Sequence, residues 1–284
     1  MTDNQVSNQT AQDDRGVIYV ATGKPRYLSE VEASAASLRR HMPELPITVF
    51  SDRKSQRLTE LRVCQELIED PTASYLDKVV ALQRSPYART LFLDTDTWVS
   101  APLDELFQLL DRFQVAAAHE LARQHSHFAE LPDAFPEFNS GVVALRMDEE
   151  IRALLRDWET RYRELEHEVA GDQDVFRLAC YLSVVNLYVL TPEFNCQVRQ
   201  AGCVNGPVRI LHGRNIDMEH AERALNRYTG KRTFQPTVHG GIRVERYEEG
   251  TMKVWSTLYL LRTRFLDRLA APLGRMLNRV EESR

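Results

Sequence analysis

The sequence predicts an α/β protein built on a mixed, mostly parallel central sheet with flanking helices, and three observations carry that expectation. Short apolar runs at Val17–Thr22, Pro46–Phe50 and Leu91–Leu93 are bounded by turn residues, as in strands buried on both faces. Between the first two runs, Val31, Ala35, Leu38 and Met42 keep helical spacing, and parallel strands require such a crossover. The third run ends abruptly on Asp94 and Asp96, which puts two acids at the carboxyl end of a strand. That rim is where open α/β sheets bind their ligands.

Taken in order, residues 1–15 lack apolar periodicity and read as a flexible tail before a main domain over 16–250. Gly23-Lys24-Pro25-Arg26 reads as the turn after the first strand, with Ser29 capping the first helix. A helix is expected over 72–84, with Tyr75, Val79 and Leu82 facing inward and Asp77, Lys78 and Arg84 left available. Pro102–Leu110 forms the next helix, its proline in the first turn where a missing N–H is harmless, and Val115–Ala118 the next strand. From His119 to Phe138 the chain is irregular, with the length and aromatic content of a lid or binding loop. Phe138–Leu145 returns as a strand in which Gly141 allows close backbone approach. The stripe Ile151, Leu154, Leu155, Trp158, Tyr162 and Leu165 is the core face of a long helix, and Asp172 starts another, where a carboxylate is favoured even without a function. Val184–Leu190 and Val208–Leu211 complete the strands, and there is no internal repeat.

With 284 residues the chain can bury one substantial core or at most two modest domains. A net charge of -5 and a pI near 6.0 exclude a dedicated nucleic-acid binder. The first sixteen residues lack a secretory pattern, and no apolar run approaches the roughly 20 residues that cross a bilayer. Cys64, Cys180, Cys196 and Cys203 lack Cys-x-x-Cys spacing, so free thiols in a reducing cytoplasm are expected. Residues 251–284 carry a net +4 and form a basic amphipathic helical extension. In it Leu258, Leu261, Phe265, Leu269, Leu273, Met276 and Val280 run beside Arg264, Arg268, Arg275 and Arg279, with Pro272 and Gly274 bending the helix. Residues 255–280 could thus pack on protein, including a second copy, or lie peripherally on the inner face of a membrane; packing on protein is the favoured expectation.

Asp94 and Asp96 can both turn toward one divalent cation and leave its other positions to oxygens such as those of a diphosphate. Acids at strand ends also cap helices and bend turns, so the surrounding sequence decides. An apolar strand runs into Asp94-Thr95-Asp96; Asn139-Ser140-Gly141 precedes another; Asp172-Gln173-Asp174 opens a helix; Leu211-His212-Gly213 follows a last strand. In this order and spacing, over roughly residues 17–214, the chain resembles the GT-A glycosyltransferases, most closely the galactosyltransferase and glycogenin-like (family 8-like) group.

The resemblance implies a GT-A, Rossmann-like fold and a metal-dependent hexosyltransferase moving a sugar from a nucleotide-diphosphate donor to an acceptor hydroxyl with retention. It implies Mn²⁺ (or Mg²⁺) on Asp94, Asp96 and His212, and a UDP-sugar donor, with GDP-sugar as the alternative. The acceptor is a carbohydrate or other hydroxyl compound. By the same resemblance Thr22 and Tyr27 hold the nucleoside and Lys78 reaches a donor phosphate or sugar hydroxyl. Asn139, Gly141 and Gly213 belong to the donor site, and Asp172 and Gln173 face the transferred sugar. Two departures stand out. Thr22-Gly23-Lys24 replaces the family's acid and asparagine after the first strand, and the lysine after the late histidine is missing, leaving its diphosphate role to Arg214 or Lys231.

Blander readings accompany these: Tyr27 as a turn residue packed on the helix, and Lys78 as a solvated surface lysine. Leu91–Thr97 also matches the haloacid-dehalogenase phosphatase pattern of nucleophilic and general-acid aspartates. That class needs a lysine downstream, and none occurs from Thr97 through Gly230. A non-catalytic nucleotide-sugar-binding protein is the remaining alternative.

Overall fold

Apolar residues on both faces make β1 (Arg15–Ala21) a central strand: Val17 and Tyr19 enter one hydrophobic layer and Ile18 the opposite one. The computed structural model describes residues 14–122 and 128–246. From β1 the chain crosses through α1 (Pro25–His41) to β2 (Ile47–Ser51), then through the short α2 (Gln56–Glu60) to β3 (Cys64–Leu67), all parallel. Helix α3 (Leu76–Gln83) leads back to β4 (Arg89–Leu93), parallel to β1 on its other side.

After β4 the strand β5 (Thr97–Val99) leaves this sheet, followed by α4 (Asp104–Leu109), β6 (Val115–His119) and β7 (Phe138–Arg146). Strand β7 inserts antiparallel between β4 and β6. Helices α5 (Glu149–Leu165) and α6 (Asp172–Leu182) precede β8 (Leu187–Val189), which completes a seven-stranded sheet in the order β3-β2-β1-β4-β7-β6-β8. The sheet is therefore mixed and mostly parallel, as expected. Its two faces pack into separate layers, one with Val31, Leu38 and Phe107, the other with Val79, Trp158 and Phe176. Each such side chain contributes about 1.5–3 kcal/mol by leaving water.

The last third of the chain adds a layer beside the sheet. A 3₁₀ turn at Pro192–Phe194 leads into β9 (Cys196–Gln197), β10 (Gly202–Val204) and β11 (Ile210–His212), then α7 (Met218–Asn226), β12 (Arg232–Pro236) and β13 (Ile242–Arg246). Two three-stranded sheets result, β5-β11-β9 and β10-β12-β13, around a third core that includes Leu211, Leu225 and Phe234. Arg232 is fully buried yet satisfied, donating to the carbonyl oxygens of Leu225, Gly230 and Gly206.

Several local expectations need correction. Helix α1 starts at Pro25 in its first turn, so Ser29 lies inside it and is not its cap. The 72–84 helix is shorter because the Asp77 carboxylate gathers the preceding loop, accepting from Thr72 N (2.9 Å), Thr72 Oγ1 (2.7 Å) and Ala73 N (2.9 Å). Asp77 and Lys78 are consequently buried, not available, and it is Tyr75, 53% exposed, that faces outward. After the Asp-x-Asp pair the chain enters the short strand β5. All four cysteines are free thiols, two of them buried. The expected tail, the centre of the 119–138 loop and the basic extension fall largely on residues 1–13, 123–127 and 247–284, outside the described residues. No described helix is long and apolar enough to cross a membrane.

Candidate functional site

Strand β4 has a parallel neighbour on one side and the antiparallel β7 on the other, and at its carboxyl end the chain turns out of the sheet. Here Asp94 N–H donates to Gly141 O (2.7 Å), so the first acid is fixed to the Asn139-Ser140-Gly141 segment of β7. Two residues on, β5 pairs with β11 in the register Thr97↔His212, and Gly213 N–H donates to Asp96 O (3.0 Å). Main-chain pairing thus brings His212 opposite the two acids. Its Nε2 lies 3.6 Å from Asp94 Oδ2 and 3.4 Å from Asp96 Oδ1.

One ligand atom from each of Asp94, Asp96 and His212 falls within 4.8 Å of the other two. Ligands at right angles around an ion, each about 2.1 Å from it, lie about 3 Å apart, so a small contraction would seat a divalent cation. Two further features fit a metal. A Cβ on Gly141 would stand 2.6 Å from Asp94 Oδ2 and nearer still to His212 Cε1, so only glycine leaves the cradle open. His212 is also oriented through its other nitrogen. Asn195 Nδ2 donates to Asn139 Oδ1 (2.8 Å), which leaves Asn195 Oδ1 to accept from His212 Nδ1 (3.0 Å) and turns Nε2 toward the acids.

The charges are strongly coupled. Burial raises the Asp94 carboxyl above the usual range despite Lys78 and His212, with Asp96 and Asp172 adding to the rise. Burial opposes Asp96 too, but His212 and Arg214 hold it below the ordinary value. His212 is lifted above its usual value by the two aspartates, against its own burial. The negative charge that lifts His212 would be neutralised equally well by a cation.

A cavity of about 730 Å³ opens from this corner, and it is lined by Thr22, Tyr27, Lys78, Asn139, Asp172, Gln173 and Gly213 as well as Asp94, Asp96 and His212. Gly141 alone of the expected site residues lies behind the wall. Lys78 is not a surface lysine. Its Nζ donates to Asp172 Oδ2 (2.8 Å) and Ser140 Oγ (2.7 Å) and sits 3.8 Å from Asp94 Oδ1. Burial would strip its proton, yet the Asp172 and Asp94 carboxylates hold its pKa above the ordinary lysine value. Thr22 Oγ1 donates to buried Asp77 Oδ2 (2.7 Å), so this side chain steadies the 72–74 wall. Arg214 lines the cavity and Lys231 does not. The Arg214 guanidinium pairs with Glu30 (2.9 Å), stands 3.6 Å from Asp96 Oδ1, and lies over the Tyr27 ring at 5.0 Å.

The Gln173 carboxamide is held at both ends: Oε1 accepts from Ser140 N–H (3.1 Å) and Nε2 donates to Glu137 Oε1 (2.7 Å). Sequence reasoning missed Glu30, Glu120, Glu137 and Asn195. The usable signal for Glu137 was its position directly before Phe138-Asn139-Ser140-Gly141.

No protein-family model and no curated protein sequence matches the chain. Related folds occur among solved structures. Mouse xyloside xylosyltransferase 1 in its apo form aligns with a TM-score of 0.51 at 18% identity, over 71% of this chain and 98% of that one. The galactosyltransferase LgtC, solved with donor and acceptor sugar analogues, gives 0.49 at 14% identity over 69% and 87%. The glycosyltransferase GlyE of Streptococcus pneumoniae TIGR4 gives 0.47 at 22%, over 65% of this chain and 47% of its own. The first likeness carries the fold, and with the mixed sheet described above it gives this chain the GT-A glycosyltransferase fold.

Proposed function

We propose that the protein is a metal-dependent glycosyltransferase that moves a sugar from a nucleotide-diphosphate donor, UDP-sugar in first place, to an acceptor hydroxyl. The observation that carries this reading is the convergence of Asp94, Asp96 and His212 on one cavity that Lys78 and Arg214 also line. Bound there, Mn²⁺ or Mg²⁺ would supply the Lewis acidity that neutralises a diphosphate leaving group. The protein's own groups do the rest. Arg214, beside Asp96, offers a planar guanidinium to phosphate oxygens in place of the missing lysine. Lys78 keeps its charge through Asp172 and offsets the negative charge of Asp172 and Asp94 at the cavity wall. Gln173, oriented by Ser140 and Glu137, offers a fixed dipole to charge developing on the transferred sugar.

Retention is proposed on the sequence resemblance alone; in a retaining enzyme no strong base is required when the acceptor attacks from the leaving-group side, and Gln173, a poor nucleophile, would serve as a polar stabiliser. The hexosyl donor is proposed on the sequence resemblance, the cytoplasmic setting on the spacing of the four cysteines, and docking of residues 255–280 on protein or on an anionic membrane on their apolar stripe flanked by arginines. The fold neighbours give the phosphatase reading no support of its own.

Thermal unfolding with UDP- and GDP-sugars, with and without Mn²⁺, tests the proposal. A stabilising shift that needs both nucleotide and metal is expected; a shift indifferent to metal, or none with any nucleotide, refutes it.

A further inference from the structure

The wall beyond Gln173 is acidic. Glu120 follows β6 and Glu137 precedes β7; both are nearly buried and both line the cavity. Their backbones are tied by Glu120 N–H to Glu137 O (2.9 Å). Glu120 is fully engaged: Oε2 accepts from Asn139 Nδ2 (2.7 Å), and Oε1 from Gln200 Nε2 (2.9 Å) and Ala122 N–H (3.1 Å). Glu137 is engaged through one oxygen only. Its Oε2 is buried and has no hydrogen-bond partner among the described residues. An unsatisfied buried acceptor costs about 1–3 kcal/mol, more for a charged group, so a small turn of this carboxylate toward a ligand hydroxyl would recover free energy.

We propose that Glu137 determines donor specificity: its uncommitted carboxylate oxygen takes a hydrogen from a hydroxyl of a neutral transferred sugar and turns away sugars bearing a carboxylate. The inference rests on the nucleotide-sugar reading of the cavity and adds the class of sugar. Gln173, which faces the transferred sugar in that reading, is bonded directly to Glu137 and lies 3.4 Å from Glu120 Oε2. The two glutamates and Asp174 all line the cavity. A uronate there meets like charge in a poorly hydrated pocket, whereas a hydroxyl supplies the missing donor. The groups facing Glu137 are Gln173, Asp174 and Arg177 from α6 and Glu120 from the end of β6. Burial, with Asp174 and Glu120, pushes its carboxyl up to about 7 against Gln173 and Arg177, so rejection should strengthen between pH 6 and pH 8.

Calorimetric binding of matched pairs, UDP-glucose against UDP-glucuronate and UDP-galactose against UDP-galacturonate, with Mn²⁺ present and no acceptor, is the test. The wild-type chain is expected to prefer the better hexose over its uronate by at least about tenfold, the scale of one mismatched polar contact. Glu137→Gln should shrink that ratio several-fold, while Glu137→Asp, which keeps the charge and withdraws the oxygen, should weaken hexose binding yet still reject the uronate. A purely structural role would weaken both members of a pair alike and leave the ratio where it was. UDP itself, which lacks the transferred sugar, separates the two levels of inference. If neither UDP nor GDP binds the wild type with Mn²⁺, the nucleotide-sugar reading falls and this one with it. If UDP binds but hexose and uronate bind equally, or the Glu137→Gln ratio matches wild type, only the role of Glu137 is overturned.

Discussion

Replacing Glu137 by glutamine should make the protein more stable, and only toward neutral and higher pH. In the folded chain the carboxyl is 4% exposed, and burial raises its pKa from 4.5 to about 7. The folded state therefore binds this proton more tightly than the unfolded chain does. The sign follows: the stability contributed by the protonated carboxyl is fully present below about pH 4.5 and is lost as pH rises through 7. A rise from 4.5 to about 7 corresponds to about 3 kcal/mol between the two ends of that window. Glutamine keeps the shape and an acceptor for Gln173 Nε2 but has no proton to lose, so the variant lacks this slope. Urea unfolding of the metal-free protein at pH 5, 6, 7 and 8, followed by far-UV circular dichroism, reads the difference directly. The variant should gain little at pH 5 and about 2–3 kcal/mol at pH 8. Stability curves that run parallel over the whole range would refute the burial argument. A stabilising substitution at a cavity wall would also mark Glu137 as a residue kept for a ligand at the expense of the fold.

Three further outcomes are expected. Asp96→Asn should weaken Mn²⁺ binding, read by calorimetry, by more than the roughly 10–100-fold that a supporting residue costs, and Asn195→Ala should fall within that range because it frees His212 Nδ1; wild-type affinity in Asp96→Asn would remove it from the metal site. Gly141→Ala should fold but lose Mn²⁺ binding, since the added methyl lands between Asp94 and His212; unchanged affinity would show that the cradle yields. Lys78→Met should cost about 3–5 kcal/mol in urea unfolding by stranding buried Asp172, and the double variant with Asp172→Asn should recover most of it; additive losses would mean that the pair does not interact.

What was legible in the sequence was local. The run Leu91–Leu93 ending on two acids needs only period and composition to read, and it located both the strand and the rim. His212 emerged only through the resemblance, because nothing local distinguishes it from a histidine in a turn. Lys78 was misjudged for a physical reason: a helical pattern shows which face a residue takes, not that Asp172, far along the chain, will be brought to 2.8 Å from it. The chain of carboxamides from Glu120 through Asn139 and Asn195 to His212 joins residues remote in sequence and was invisible for the same cause. Strands β5, β9 and β10 have two or three residues each, too few for a period of two to register, and they exist because partners in other parts of the chain supply the hydrogen bonds.

The pairing of β5 with β11 bears on how the protein can be handled. Because Thr97↔His212 and the Gly213-to-Asp96 hydrogen bond are made by backbone, the main chain at Asp96 and His212 keeps its place whatever occupies the space between the side chains. Chelation should then remove an ion without dissolving a strand, and the stripped protein should remain folded and be reloaded by simple addition of salt. Different ions can be exchanged into one preparation, so the choice between manganese and magnesium can be made by titration on a single sample.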